Sequence, residues 1–65
     1  MIELEQFKAY EAVRSSGLTN MWAVDTVIVL AEQMTGIILT EEDVLEIIRN
    51  YNSYAEKWLV VAKQV

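Results

Sequence analysis

The sequence contains no cysteine, no histidine and no proline, and only two glycines among its 65 residues. Without cysteine, the chain can form neither a disulfide framework nor a reactive thiolate. Without cysteine and histidine together, it lacks the ligands of every standard zinc site. We therefore expect no metal centre and no bound cofactor.

The same shortages argue against an enzyme. Ser15, Ser16 and Ser53 are the candidate nucleophiles, and no histidine is present to activate them. Two glycines are too few for a phosphate-binding loop, and the sequence contains neither GxGxxG nor GxxxxGK. A chain of this length also offers little room for a pocket of roughly a few hundred Å³. We expect no catalytic residues.

What the sequence does contain is apolar: 54% of its residues are hydrophobic and 23% are charged. This balance is opposite to that of disordered chains and predicts one folded domain over residues 1–65. Domains of about 60 residues are marginally stable and often rely on disulfides, a metal or a partner subunit. Since the first two are excluded, we expect self-association or a protein partner.

The net charge of −5 is unevenly distributed. Residues 18–48 carry six acidic side chains and no lysine or arginine. Such a surface repels nucleic acids and anionic membranes, so we expect no direct contact with either. A helix–turn–helix regulator is disfavoured because its recognition helix, Met21–Met34, would contain no basic residue. The acidic N-terminus and the short apolar run at 27–31 predict a cytoplasmic chain without a membrane span.

Gly17 and Gly36 divide the chain into three segments with helical periodicity. Apolar residues recur every three to four positions in each segment. Gly17 suits the left-handed residue that follows a helix, and Gly36 ends the second segment and begins a turn. Thr19 or Asn20 is a candidate cap for the second helix. The sequence predicts an all-α three-helix bundle with helices at 2–16, 20–35 and 41–63. The first two helices are expected to pack on the N-terminal half of the third.

The third helix has the clearest start. Thr40 supplies a capping hydroxyl, three acidic residues follow in the first turn, and Leu39 and Val44 occupy the positions of a hydrophobic staple. These acids complement the helix dipole and lack the spacing of a calcium loop. A break near Asn52 is the alternative to one long helix. We expect continuity because aromatic and apolar residues keep their spacing through this region.

Trp22 is a candidate interaction residue. On a helical wheel it lies beside Val29, and both interrupt a polar face that includes Asp25 and Glu32. Either another part of the chain covers this tryptophan or it anchors a protein partner, as exposed tryptophans often do. We take Trp22, Asp25, Val29 and Glu32 as one predicted contact surface.

A second predicted contact surface lies near the C-terminus. Tyr54, Trp58, Val61 and Val65 continue one apolar stripe along the third helix. Two helices of about 14 residues cannot cover all of a helix over residues 41–63, so this end is expected to overhang. We therefore predict a homodimer through these four residues.

The stretch 13–24 resembles a family of uncharacterised proteins of similar length from Gram-positive gut bacteria and their prophages. Its turn is matched by residues 17–21, its next aromatic position by Trp22, and its late aromatics by Tyr54 and Trp58; the resemblance covers about residues 12–58. This chain departs from the family by extra residues around 36–39. The family has no assigned activity, so the resemblance implies a phage context and no catalytic residues.

Two functions are consistent with these observations. The first is a small, self-associating protein-interaction module, encoded by a phage, that modulates a host or phage protein. The alternative is an acidic mimic of nucleic acid that inhibits a DNA- or RNA-binding enzyme, such as a bacterial defence nuclease in the manner of an anti-CRISPR protein. Binding by a mimic weakens steeply with ionic strength, whereas an apolar contact does not.

Overall fold

The computed structural model describes the backbone of residues 2–60 and the side chains of residues 2–58. This part of the chain is all-α and contains no strand. Its elements are α1 (Leu4–Ser16), α2 (Val24–Thr35), α3 (Glu41–Arg49), α4 (Tyr51–Ala55) and a π-helical turn (Glu56–Val60). The predicted all-α class is confirmed, but the predicted division into three helices is not.

The first helix is two residues shorter than predicted at its start. Glu3 is its N-cap, and the backbone N–H of Glu3 donates to Oε1 of Gln6 at 2.8 Å. The helix ends at Ser16, and Gly17 follows with a φ of 67°. A left-handed backbone is readily accessible only to glycine, so the prediction that Gly17 ends this helix is confirmed.

The second helix begins at Val24, four residues later than predicted. Asn20 does not cap a helix; its side chain accepts a hydrogen bond from the N–H of Trp22 at 2.9 Å, and its carbonyl accepts one from Ala23 at 2.9 Å. Asparagine often closes turns by such bonds to its own backbone. Residues 20–23 are therefore a turn, and Trp22 lies outside the helix.

The start of α3 is as predicted. Oγ1 of Thr40 accepts from the N–H of Asp43 at 3.1 Å, and the N–H of Thr40 donates to Oδ2 of Asp43 at 3.0 Å. This reciprocal pair is a capping box. Leu39 and Val44 are both buried, as a hydrophobic staple requires.

The predicted single helix over 41–63 is not confirmed. Helix α3 ends at Arg49, and Asn50 leaves helical geometry with φ −119° and ψ 27° before α4 begins at Tyr51. Both the backbone N–H and the side-chain Nδ2 of Asn50 donate to the carbonyl of Glu46, at 3.0 and 3.2 Å. An asparagine side chain competes in this way with the regular helical pattern. Residues 61–63 lie outside the described residues.

The core lies where α1, α2 and α3 meet. Helix α1 contacts α2, and both contact α3, as predicted for the first two helices. The buried apolar side chains are Ile2, Phe7, Ala9, Tyr10, Val13, Val27, Ala31, Leu39, Val44 and Ile47. No polar or charged side chain of the described residues is buried. Apolar burial therefore provides most of the stabilisation.

Two leucines six residues apart test this core. Leu39 is 1% exposed and Leu45 is 39% exposed. We expect Leu39→Ala to lower the free energy of unfolding by about 2–4 kcal/mol, because it leaves a cavity. Leu45→Ala should cost less than about 1 kcal/mol, because the leucine is already partly in water. Urea unfolding followed by circular dichroism measures both, and equal unfolding midpoints would contradict this core.

Candidate protein-interaction site

Trp22 is the most exposed large apolar side chain of the described residues, at 75%. It lies in the turn between α1 and α2, and the Asn20 side chain fixes its backbone. A tryptophan that is three-quarters exposed adds little buried apolar area to the stability of its own chain. It is therefore available for contact with another molecule.

A pocket of about 290 Å³ lies beside Trp22. Its lining comes from four parts of the chain: Tyr10 and Arg14 of α1, Met21 and Trp22 of the turn, Ile48 of α3 and Tyr51 of α4. The expectation that so short a chain has little room for such a pocket is therefore wrong.

One wall of the pocket is held by a hydrogen-bonded cluster of three side chains. Arg14 donates through Nε and Nη2 to the two carboxylate oxygens of Glu11, at 2.8 and 2.9 Å. The hydroxyl of Tyr51 donates to Oε2 of the same glutamate at 2.7 Å. The Arg14 guanidinium also lies 5.6 Å from the centre of the Tyr51 ring, within the range of a cation–π contact. These contacts join α1 to α4.

The cluster shifts the protonation equilibria of its members. Burial alone would raise the pKa of Glu11, but hydrogen bonds from Arg14 and Tyr51 outweigh it and hold the pKa below its usual value. Burial and the hydrogen bond to Glu11 raise the pKa of the Tyr51 hydroxyl. The Glu11 carboxylate is therefore ionised, and Tyr51 is a neutral donor, across the neutral pH range.

Tyr10 supplies an unused polar group to the pocket. Its ring is buried, and within the described residues its hydroxyl makes no hydrogen bond to another protein group. Burial raises the pKa of this hydroxyl, with a further contribution from the nearby Glu11 charge. The residues that line the pocket thus combine apolar groups with two hydroxyls, of which that of Tyr51 is bonded to Glu11, and one guanidinium.

The first predicted contact surface is only partly brought together. Asp25, Val29 and Glu32 are exposed and share one face of α2 by their spacing. Trp22 precedes α2, so the helical wheel that placed it beside Val29 does not apply. The structure places Trp22 at the pocket with Tyr10 and residues of α3 and α4 instead.

The second predicted contact surface is largely an internal contact in its described part. Tyr54 and Trp58 stack with ring centres 5.4 Å apart, and both lie against Phe7, at 6.1 and 5.3 Å. The hydroxyl of Tyr54 donates to Glu46, which raises the pKa of Tyr54. The two aromatic side chains are half-buried. Val61 and Val65 lie outside the described residues.

Sequence reasoning missed the pocket itself. Tyr10 and Arg14 stand one helical turn apart, which is a weak sign of a shared face. Nothing in the sequence indicates that Ile48 and Tyr51 lie beside Tyr10 and Arg14 in the fold.

Within residues 2–60, no group of three or more acidic side chains is arranged to hold a metal ion. None of the described helices has the length and apolar character needed to cross a membrane.

The chain has no significant match among protein families, curated proteins or solved structures. The resemblance to short prophage proteins therefore remains a prediction.

The Glu11 cluster predicts a pH dependence of stability. Because the folded-state pKa of Glu11 is lowered from 4.5, the unfolded chain binds more protons in acid. The stabilisation is present above pH 4.5 and is lost as the pH falls through the folded-state pKa. We expect Glu11→Gln to cost about 1–2 kcal/mol at pH 7 and progressively less as the pH falls below 4.5, because acid removes the same charge from the wild type.

Urea unfolding at several pH values measures this difference. Glu32→Gln is the matched control, since Glu32 is exposed on α2. Its unfolding midpoint should follow that of the wild type at every pH. A Glu11→Gln deficit that stays constant from pH 7 to pH 3 would contradict the role given to the carboxylate charge.

Proposed function

We propose that this chain is a small, acidic, helical protein-interaction module that binds through Trp22 and the adjoining pocket. In this proposal it is not an enzyme, acts in the cytoplasm without a metal or cofactor, and self-associates. The resemblance described above adds a phage origin and a host or phage protein as the target.

The observation that carries the proposal is the exposure of Trp22 at the rim of an apolar pocket. Tryptophan is among the residues that most often dominate binding energy at protein interfaces. Leu18, in the same loop, is also exposed and widens the apolar surface. The small size of the chain supports the same conclusion, because a partner would add apolar burial that a 65-residue core supplies only sparingly.

The acidic surface supports a second candidate, a mimic of nucleic acid that occupies the binding site of a DNA- or RNA-binding enzyme. Asp25 and Glu32 are exposed on α2, and Glu41 and Glu42 are exposed at the start of α3. No lysine or arginine interrupts residues 18–48. Such a row of acids would attract a basic groove.

Site-specific photo-crosslinking in the cells that naturally produce the protein tests the first proposal. A photoreactive phenylalanine analogue is introduced in place of Trp22 or, as a control, in place of Ile38, which is 68% exposed and not part of the pocket lining. We expect protein adducts from position 22 and far fewer from position 38. Equal yields from the two positions would contradict a specific site at Trp22.

Salt separates the two candidates. Adducts that depend on apolar contact should persist when a lysate is irradiated at roughly 0.5 M salt, where the screening length falls to a few ångströms. Adducts of a nucleic-acid mimic should disappear under the same conditions. Loss of all position-22 adducts at high salt would therefore favour the mimic.

A further inference from the structure

The exposed side chain of Trp22 lies next to a pocket that would suit an indole ring. Trp22 is three-quarters exposed, and the pocket that it borders has a volume of about 290 Å³. An engineered apolar cavity of about 150 Å³ holds a benzene molecule, so the larger indole ring fits a pocket of this size. The same surface therefore contains a side chain that could insert into a second copy and a pocket that could receive the same side chain from that copy.

The pocket chemistry matches an indole ring. Met21 and Ile48 provide apolar walls, and the Arg14 guanidinium provides a cation that an aromatic face attracts. A buried tryptophan needs an acceptor for its ring N–H. The Tyr10 hydroxyl has no partner among the described residues and can accept that bond.

The charges around the pocket also favour contact between two copies. The chain as a whole carries −5, so two copies repel each other over most of their surface. No acidic side chain lines the pocket, and its one charged lining residue is Arg14. The adjacent Glu11 carboxylate is paired with Arg14, so these two residues leave no net charge at the pocket and add little to the repulsion between copies.

We propose that two copies of this chain form a two-fold dimer in which Trp22 of each copy enters the pocket of the other. A two-fold interface uses the same patch on both subunits, and this patch contains both the side chain and its receptor. Two reciprocal insertions, with Leu18 at the edge, would bury on the order of 1,000 Å². That area lies below the range of permanent dimers and predicts a reversible one. The inference rests on the proposed use of the Trp22 surface in protein binding.

Sedimentation equilibrium from roughly 5 μM to 1 mM measures this association, a range suited to weak interfaces. We expect a monomer–dimer equilibrium in the wild type, and at least a tenfold weaker one in Trp22→Ala, as for an interface hot spot. Ile38→Ala, which removes a similarly exposed apolar side chain, should leave the dissociation constant unchanged. A wild type that is monomeric throughout, or a dimer insensitive to Trp22→Ala, would overturn the proposal.

A mixing experiment tests the reciprocal insertion directly. Trp22→Ala lacks the inserted ring but keeps the other five residues that line the pocket, whereas Ile48→Phe keeps Trp22 but places a ring in the pocket. We expect each variant alone to associate at least tenfold more weakly than the wild type, and their mixture to associate through one insertion more strongly than either variant alone. Circular dichroism verifies that both variants are folded. A mixture that associates no more strongly than either variant alone, while the wild type dimerises, would rule out this geometry.

The crosslinking at position 22 separates failure of the dimer from failure of the proposed function. Adducts with a different protein, together with a monomeric wild type, would overturn the dimer and leave the interaction module standing. The absence of any adduct and of any dimer would overturn both.

Discussion

The packing of Phe7 against three aromatic side chains holds the last part of the described chain onto α1. Phe7 is 1% exposed, and its ring lies 5.3–6.1 Å from those of Tyr51, Tyr54 and Trp58. Aromatic pairs at such distances stabilise beyond their buried area. The pocket depends on this packing, because it helps to hold Tyr51 where its hydroxyl meets Glu11 and its ring forms a wall. A loss of the Phe7 contacts would therefore disturb the candidate site without touching Trp22.

The same packing explains why a break at Asn50 is tolerated. Asn50 departs from helical φ and ψ, yet its N–H donates to the carbonyl of Glu46 at 3.0 Å and its carbonyl accepts from the N–H of Tyr54 at 3.2 Å. The chain thus resumes its helix within one residue. Tyr51 and Tyr54 keep their place against α1, so apolar contact offsets the irregular backbone. The regular spacing of the aromatic residues in the sequence therefore reflects their shared packing face against α1. It does not show that the helix is continuous.

Local signals were sufficient for some elements and insufficient for others. Gly17 and the capping hydroxyl of Thr40 each act within a few residues, and each was correctly predicted. The prediction that Asn20 caps the second helix was wrong. An asparagine side chain can either cap a helix or close a turn, and the same sequence pattern is compatible with both. The pocket could not be predicted, because its lining residues are spread along the chain from Tyr10 to Tyr51, 41 positions apart. Their approach is decided by the packing of α1 on α3, which no short-range pattern encodes.

The apolar pocket and the acidic surface would have different effects on association. Exposed acids on α2 and at the start of α3 act at long range, so they favour encounter with a basic partner and slow the approach of a second acidic copy. Contacts within the pocket act only after encounter and set how long a complex lasts. A dimer through Trp22 would therefore strengthen as salt screens the repulsion between copies, whereas a complex with a basic partner would weaken. Whether salt strengthens or weakens the complex thus depends on the charge of the partner, although the pocket and Trp22 are the same in the dimer and in a complex with a basic partner.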